Sequence, residues 1–293
     1  MTISLRKRLR GRVASGPMLI APGISDAFAA RLVQQVGFEV AYLGGNSVSA
    51  LLLGQPDLGL IDLTLITQHA HRVASCIDIP LICDADTGFG NVVNVRRTVE
   101  EFEAAGVAAI HIEDQLSPKR SGHMPGSREV IAFGEAVSKI EAAVAARRDP
   151  DFLIIARTDA APGLGLEEAI RRAQAFRDVG ADICFVELKT TPAVLDDLRR
   201  VTESVNAPCL VNVDGGGKLG QLTKPQIEAA GLRIAIYPGL GRYAAGFAIR
   251  EALDVLKRDG DTNALSGRML SMQQYNDVLA AGQFAEWERK YVH

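Results

Sequence analysis

A few residues in this sequence have the types and spacing for acid, base and metal chemistry. Asp84 and Asp86 stand at i and i+2 in CDADTGFG, and Glu113 and Asp114 close the later run HIEDQ. On an extended strand, residues two apart face the same side, so both aspartates can point at one centre. With Glu113 they offer three hard oxygen ligands and leave positions for water and substrate, which is how Mg²⁺ is held; Mn²⁺ is the alternative ion. CxxC and paired-histidine spacings are lacking, so zinc is not expected. Tyr42-Leu43-Gly44-Gly45-Asn46-Ser47, Arg157-Thr158-Asp159, Glu187 and Asn212 close four other apolar runs. A lone DxD is most simply a helix cap or an ion-pair partner. Several acids gathered at one end of a fold are different, because a buried carboxylate without a cation or base costs several kcal/mol; a shared cation accounts for the set.

These residues need elements that bring them together. Apolar, β-branched runs occur at 18–24, 39–43, 81–85, 109–113, 153–156, 183–187, 209–213 and 233–237. Most are followed by a stretch with apolar residues at three- and four-residue spacing, such as VRRTVEEFEAAG (95–106), LEEAIRRAQAFRDVG (166–180) and RYAAGFAIREALDVLKRDG (242–260). Gly106 and Gly180 follow two of these helices as C-caps. Eight strand–helix units predict a (β/α)8 barrel over residues 1–260, whose chemistry lies at the C-terminal ends of the strands. A doubly wound open sheet is the runner-up, weakened by the lack of GxGxxG after the first strand. Residues 261–293 form a helical extension of the same domain, with apolar residues spread around the helix, as for an oligomer contact or for a cover over the barrel's own helices.

The segment QLSPKRSGHMPGSREVIAFGE (115–135) is far longer than the roughly two to six residues usual between a strand and its helix. It has the composition of a lid: Lys119, Arg120 and His123 would bring positive charge over a bound anion, and Gly122 and Gly126 would permit movement. An ordinary surface loop is the plainer reading.

Composition narrows the function. Of 293 residues, 47% are hydrophobic, 23% charged and 5% aromatic, with a formal charge of −3, so disorder and a basic nucleic-acid footprint are both excluded. No window approaches a membrane span and no signal peptide is recognisable. Cys76, Cys83, Cys184 and Cys209 lie in apolar runs, as expected of reduced thiols in a cytoplasmic protein.

Taken together, Pro22-Gly23, AYLGGNSVSALLLGQPDLGL, CDADTGFG, VRRTVEEFEAAGVAAIHIEDQ, PKRSGH, DPDFLIIARTDA and LVNV resemble the isocitrate lyase and phosphoenolpyruvate mutase superfamily. The resemblance is strongest to its short methylisocitrate-lyase-like branch, which also takes in dimethylmalate lyases and oxaloacetate decarboxylase relatives. It implies a barrel with its last helices exchanged between subunits of a homotetramer, a Mg²⁺-dependent site, a closing loop after the fourth strand and small carboxylate substrates. Carried over by position, Asp86 is the direct Mg²⁺ ligand, with Asp84 and Glu113 holding the metal's waters. Gly44, Gly45 and Asn46 grip the substrate carboxylate, while Arg157, Glu187 and Asn212 bind the rest. Tyr42 and Asp57 line the site, and Lys119, Arg120, Ser121, Gly122 and His123 form the lid.

Two departures matter. Lyases of this branch carry KRCGH in the lid, where the cysteine is the acid/base; this chain has Ser121. The loop after the seventh strand usually resembles NxxEGGxTP, and here Asn212 is followed by VDGGGKLG. A thiol with a pKa of about 8.5 exchanges protons near neutrality and a serine hydroxyl does so poorly. General acid–base help is worth roughly 10²–10⁴ in rate, so proton delivery to a departing carbanion should be weakened unless His123 or water substitutes. The expected function is a Mg²⁺-dependent carbon–carbon lyase acting on a 2-hydroxy or 2-oxo di- or tricarboxylate. Oxaloacetate decarboxylation is the alternative. Phosphonopyruvate-type phosphorus–carbon chemistry and a non-catalytic binding role rank lower.

Overall fold

The computed structural model describes residues 4–120, 128–188, 193–213 and 219–292. Helix α1 (Leu5–Ala14) leads into β1 (Leu19–Ile24) and α2 (Ala27–Val36). Next come β2 (Ala41–Leu43), the one-turn α3 (Gly45–Val48), a π-helical stretch Ser49–Leu53 and α4 (Leu63–Ala74). Strands β3 (Leu81–Asp84) and β4 (Ala109–Glu113) are followed by α5 (Val92–Ala104) and α6 (Phe133–Ala146). Strand β5 (Leu153–Thr158) leads through α7 (Ala161–Leu164) to α8 (Leu166–Asp178), and β6 (Ile183–Val186) precedes α9 (Val194–Val205). Strands β7 (Cys209–Asn212) and β8 (Ile234–Tyr237) are followed by α10 (Lys224–Ala229) and α11 (Leu240–Asp259), and then by α12 (Met272–Val278) and α13 (Ala281–Tyr291).

All eight strands are parallel and close into a barrel in chain order, β8 returning to β1 with Leu19 opposite Ile234 and Pro22 opposite Tyr237. This is the expected (β/α)8 fold. The period-2 alternation sorts each strand into an outward row against the helices and an inward row. At the N-terminal end the inward row is apolar: Leu19, Ala21, Ile82, Ala109, Leu153, Ile155, Ile183, Leu210 and Ile234 share one buried cluster. Helix α1 closes this end by adding Leu9 and Val13 to the same cluster. Arg233, just before β8, donates to the carbonyls of Val13 and Gly16 and ties α1 down. Continued towards the C-terminal end, the same rows become Asp84, His111, Glu113, Arg157, Glu187 and Asn212, so one alternation supplies both a dry floor and a polar mouth.

The outer layer forms by helical periodicity. Helix α5 begins at an Asn91 capping box and buries Val95, Val99 and Phe102 on one face. Gly106 and Gly180, at φ 85° and 100°, let the chain reverse after α5 and α8, as their spacing predicts. The four cysteines are unpaired. Among the described residues, no helix is long and apolar enough to cross a membrane.

The C-terminal extension departs from the single helical pattern expected of it. It breaks at Ala280, which takes a left-handed φ of 54°, into α12 and α13. Helix α11 buries only Val255, α12 only Val278, and α13 nothing, while Phe247, Leu253, Phe284 and Trp287 are exposed.

At the β1–β8 seam a Cβ on Gly23 would overlap the carbonyl of Pro238, and neither strand backbone can yield. Gly23→Ala is therefore expected to lower unfolding free energy by about 2 kcal/mol or more, read from the urea midpoint. Gly11→Ala on α1, where a Cβ would meet nothing, should leave stability equal or slightly raised.

Candidate active site

The polar mouth is built first from β3. The strand ends at Asp84, and Asp86 lies beyond it with φ 48°. The two aspartates therefore do not share a strand face as their spacing suggested. They converge because the chain turns: Asp84 Oδ1 accepts the Asp86 N–H at 2.9 Å, and this local bond holds a conformation that aspartate tolerates better than most residues. Asp84 Oδ2 accepts the backbone N–H of Gly45 at 3.0 Å, joining the end of β3 to the first turn of α3.

Lys119 enters this group from the segment after β4. Its buried ammonium pairs with Asp86 Oδ1 and lies 3.3 Å from Asp57 and 3.6 Å from Asp84. Burial would strip the lysine of its proton, but Asp84, Asp86, Glu113 and Asp57 outweigh it and hold the pKa well above the ordinary value. Burial likewise disfavours charge on Asp84, yet Lys119, His111 and Arg157 hold its carboxyl below the usual range. Asp86 goes the other way: burial and the like charges of Asp84 and Asp57 push it up. Two carboxylates sharing one ammonium divide in this way because both cannot be fully compensated.

Arg157, inward on β5, makes the second half. Its Nη1 is 3.1 Å from Glu113 on β4, its Nη2 is 3.7 Å from Glu187 beyond β6, and its guanidinium lies 4.9 Å from the Phe185 ring centre. Its Nε and Nη2 donate to the two oxygens of Asp159 at 2.9 and 3.0 Å. Burial pushes Glu113 well above the ordinary carboxyl range in spite of Arg157. Asn212 donates to Glu187 at 3.5 Å.

Tyr42, inward on β2, completes the ring. Its Oη is 2.8 Å from His111 Nε2, and His111 Nδ1 faces Asp84 Oδ1 at 3.6 Å. Burial pushes His111 down to about 4, so the imidazole is neutral, and raises Tyr42 well above the ordinary phenol. The tautomer that suits both neighbours has Tyr42 donating to Nε2 and the Nδ1 proton facing Asp84.

The structure thus brings Tyr42, Asp57, Asp84, Asp86, Glu113, Lys119, Arg157, Glu187 and Asn212 to one end of the barrel. Gly44 and Gly45 lie beside them, although the Gly45 N–H is bonded to Asp84. Asn46 Oδ1 accepts from Arg242 Nη1 at 2.7 Å. The exposed Arg120 has its backbone N–H on Gln115 Oε1. Ser121, Gly122 and His123 lie outside the described residues. Arg128, which pairs with Asp159 at 2.7 Å, was not among the residues expected to form the site, whereas His111 and Asp159 belong to the polar strand ends without having been given a role. The i, i+2 spacing that relates Asp84 to Asp86 also relates His111 to Glu113 and Arg157 to Asp159.

The chemistry of the group suits a cation. Asp84, His111 and Glu113 each offer a donor atom, all within 4.8 Å of one another. Glu113 Oε1 and His111 Nδ1 are buried without a hydrogen-bond partner, a condition that costs about 1–3 kcal/mol for each such atom. A metal ion here would satisfy Glu113 Oε1, while the Nδ1 proton of His111 faces Asp84 at 3.6 Å. This trio has His111 where the expected set has Asp86, whose Oδ1 pairs with Lys119.

Comparison with known proteins finds relatives over nearly the whole chain. The phosphoenolpyruvate phosphomutase family profile matches residues 9–256. The 2,3-dimethylmalate lyase of Eubacterium barkeri is 40% identical over 285 residues, covering 97% of each chain. Among solved structures, oxaloacetate acetylhydrolase in complex with the inhibitor 3,3-difluorooxalacetate superposes with a TM-score of 0.91 at 33% identity, covering 98% of this chain and 97% of that one. Phosphonopyruvate hydrolase in complex with oxalate and Mg²⁺ gives 0.89 at 32% identity, covering 99% and 100%.

Gly45 tests the acid cluster directly. A Cβ there would lie 3.0 Å from Asp84 Oδ2, 3.1 Å from Asp86 Oδ1 and 3.2 Å from Lys119 Nζ. Gly45→Ala is expected to fold normally but to bind Mn²⁺, followed by water proton relaxation, about tenfold more weakly; unchanged binding would separate the cation site from this cluster.

Proposed function

The chain belongs to the phosphoenolpyruvate phosphomutase family, and from that membership we propose a Mg²⁺-dependent lyase that cleaves a carbon–carbon bond of a small 2-hydroxy or 2-oxo di- or tricarboxylate, of the dimethylmalate or methylisocitrate kind. The observation that carries this reading is the buried acid group facing Arg157 across the barrel mouth, with Glu113 Oε1 unsatisfied. Such a site fits a cation and a carboxylate side by side.

Asp84, Asp86 and Glu113 would hold Mg²⁺, whose hard character favours their oxygens over the His111 nitrogen. When bound, the ion supplies Lewis-acid stabilisation of charge on the substrate oxygen next to its carboxylate. Arg157 binds a carboxylate, and Glu187 and Asn212 orient the remainder. Tyr42 takes the hydroxyl proton while its own passes to His111 Nε2, to which it already donates. The neutral imidazole behind it accepts the phenol's hydrogen bond, so Tyr42 is not an isolated acid in a dry site. As the carbon–carbon bond breaks, its electron pair leaves on the departing carbon, which then takes a proton, while the hydroxyl carbon becomes a carbonyl. Ser121 and His123 are the lid groups placed in sequence to give that proton.

Ser121 favours a second reading, cleavage of oxaloacetate, in which carbon dioxide leaves and water can protonate the enolate. The likeness to oxaloacetate acetylhydrolase supports oxaloacetate as a substrate to test.

We read the exposed apolar residues of α11 to α13 as the contact of a homotetramer, with residues 261–293 as the extension that makes it. Unpaired cysteines, three of them buried, support a cytoplasmic location. Phe284→Asp with Trp287→Asp is expected to reduce the mass found by light scattering; an unchanged mass for the variant, or a monomeric wild type, would refute the contact.

The decisive assay offers the Mg²⁺-supplemented protein 2,3-dimethylmalate, 2-methylisocitrate, oxaloacetate and phosphonopyruvate. Turnover of a hydroxy acid, lost to EDTA and reduced at least about 10²-fold by Asp86→Ala, is the expected result. Ser121→Cys should then accelerate it. Turnover of oxaloacetate alone, with no gain from the cysteine, selects the second reading. Activity unaffected by Asp86→Ala would refute the metal mechanism.

A further inference from the structure

Arg157 is not free to choose how it meets an anion. Of its three donor nitrogens, Nε and Nη2 are bound side-on by Asp159, at 2.9 and 3.0 Å. A guanidinium held along that edge keeps its remaining donors at the Nη1–Nη2 end, which is the end beside Glu113 and Glu187 in the barrel mouth. Asp159 is itself fully buried and fixed from behind. Its backbone N–H donates to Asp114 Oδ1 at 2.9 Å, and Asp114 Oδ2 accepts from Thr158 Oγ1 at 2.7 Å and from the buried Arg172 of α8 at 3.0 Å. The chain from Arg172 to Arg157 is therefore continuous, and it runs from the helix layer through β5 into the site.

One oxygen has a further partner. Asp159 Oδ1 accepts both Arg157 Nη2 and Arg128 Nη1, the latter at 2.7 Å. Arg128 stands where the chain returns to the barrel: Glu129 O accepts from the Leu116 backbone, and Ile131 N–H donates to Asp114 O. The same carboxylate thus joins the root of the segment after β4 to the arginine of β5.

We propose that Asp159 is a positioning residue. It fixes which end of Arg157 meets a carboxylate and couples that orientation to Arg128. The proposal rests on the reading of Arg157 as the anion-binding residue, and it goes beyond that reading by assigning the control of Arg157 to a residue that need not touch substrate.

The test uses the full chain with Mg²⁺ and oxalate as the probe, followed by titration calorimetry. Asp159→Asn keeps the shape but removes the charge that holds the guanidinium, and oxalate affinity is expected to fall about tenfold or more. In an Arg157→Lys background, where no side-on pair can form, Asp159→Asn should change affinity less than about threefold. An equal loss in both backgrounds, or wild-type affinity in the single variant, overturns the proposal. A second readout needs no ligand: the Arg157 Nε–H resonance, identified by its disappearance in Arg157→Lys, should exchange slowly with solvent in wild type and be lost in Asp159→Asn. Its persistence overturns the proposal even if wild type fails to bind oxalate, a failure that would count against the anion site instead. If Asp159→Asn does not fold, Arg128→Gln reads the same link: it should weaken oxalate binding about threefold in the wild-type background and leave it unchanged in Arg157→Lys. Equal effects in both backgrounds refute the coupling.

Discussion

Carboxylates removed from water must be given cations, and this requirement organises the upper half of the barrel. Asp57, Asp84, Asp86, Glu113 and Asp159 are all buried there, and three basic side chains serve them at close range, Lys119 on the β3 side and Arg157 with Arg128 on the β5 side. None of them suffices alone. The result is an uneven division of charge, with Asp84 held ionised and Asp86 and Glu113 pushed towards protonation. A divalent ion entering this group would meet donors that the protein's own cations leave undersatisfied. That is why the unsatisfied Glu113 oxygen says more about chemistry than the number of acids does.

The lower half makes such crowding affordable. Its inward rows and α1 form a dry floor, so the strands reach the mouth already held in register by the ladder and by apolar packing. A second buried pair, Arg172 with Asp114, lies outside the barrel wall and anchors the end of β5 from the helix side. Charge is thereby kept in two layers separated by a strand, each with its own counter-ion.

Much of this was legible in the sequence, and the limits have physical causes. The eight strands could be read because a parallel sheet covered on both faces needs continuous apolar runs, and Ala109–Glu113 falls where its run predicts. The convergence of Asp84 and Asp86 was also legible, but for another reason than the one that suggested it: a left-handed residue and a side-chain-to-backbone bond, which alternation cannot foresee. His111 was legible as a polar residue near the end of its strand but not as to its role, because it is fully buried and only its neighbours Tyr42 and Asp84 give it one. The partner of the Gly45 N–H depends on how closely β2 and β3 approach at their ends, a tertiary distance. The break at Ala280 escaped notice because alanine is the strongest helix former and signals no stop.

The seam between β1 and β8 has a consequence for the order of assembly. Leu19 pairs with Ile234, and Arg233 reaches back to Val13 and Gly16, so the first strand of the barrel to leave the ribosome is secured by the barrel's last. Until β8 is synthesised, the floor of the barrel has an open side, and the acids above it stay in contact with water. Charge burial is thus deferred to the closing step, when Lys119 and Arg157 are already present to receive it. Contacts of such long sequence separation are slow to form, and the nascent chain must keep its open β1 edge from pairing elsewhere in the interval.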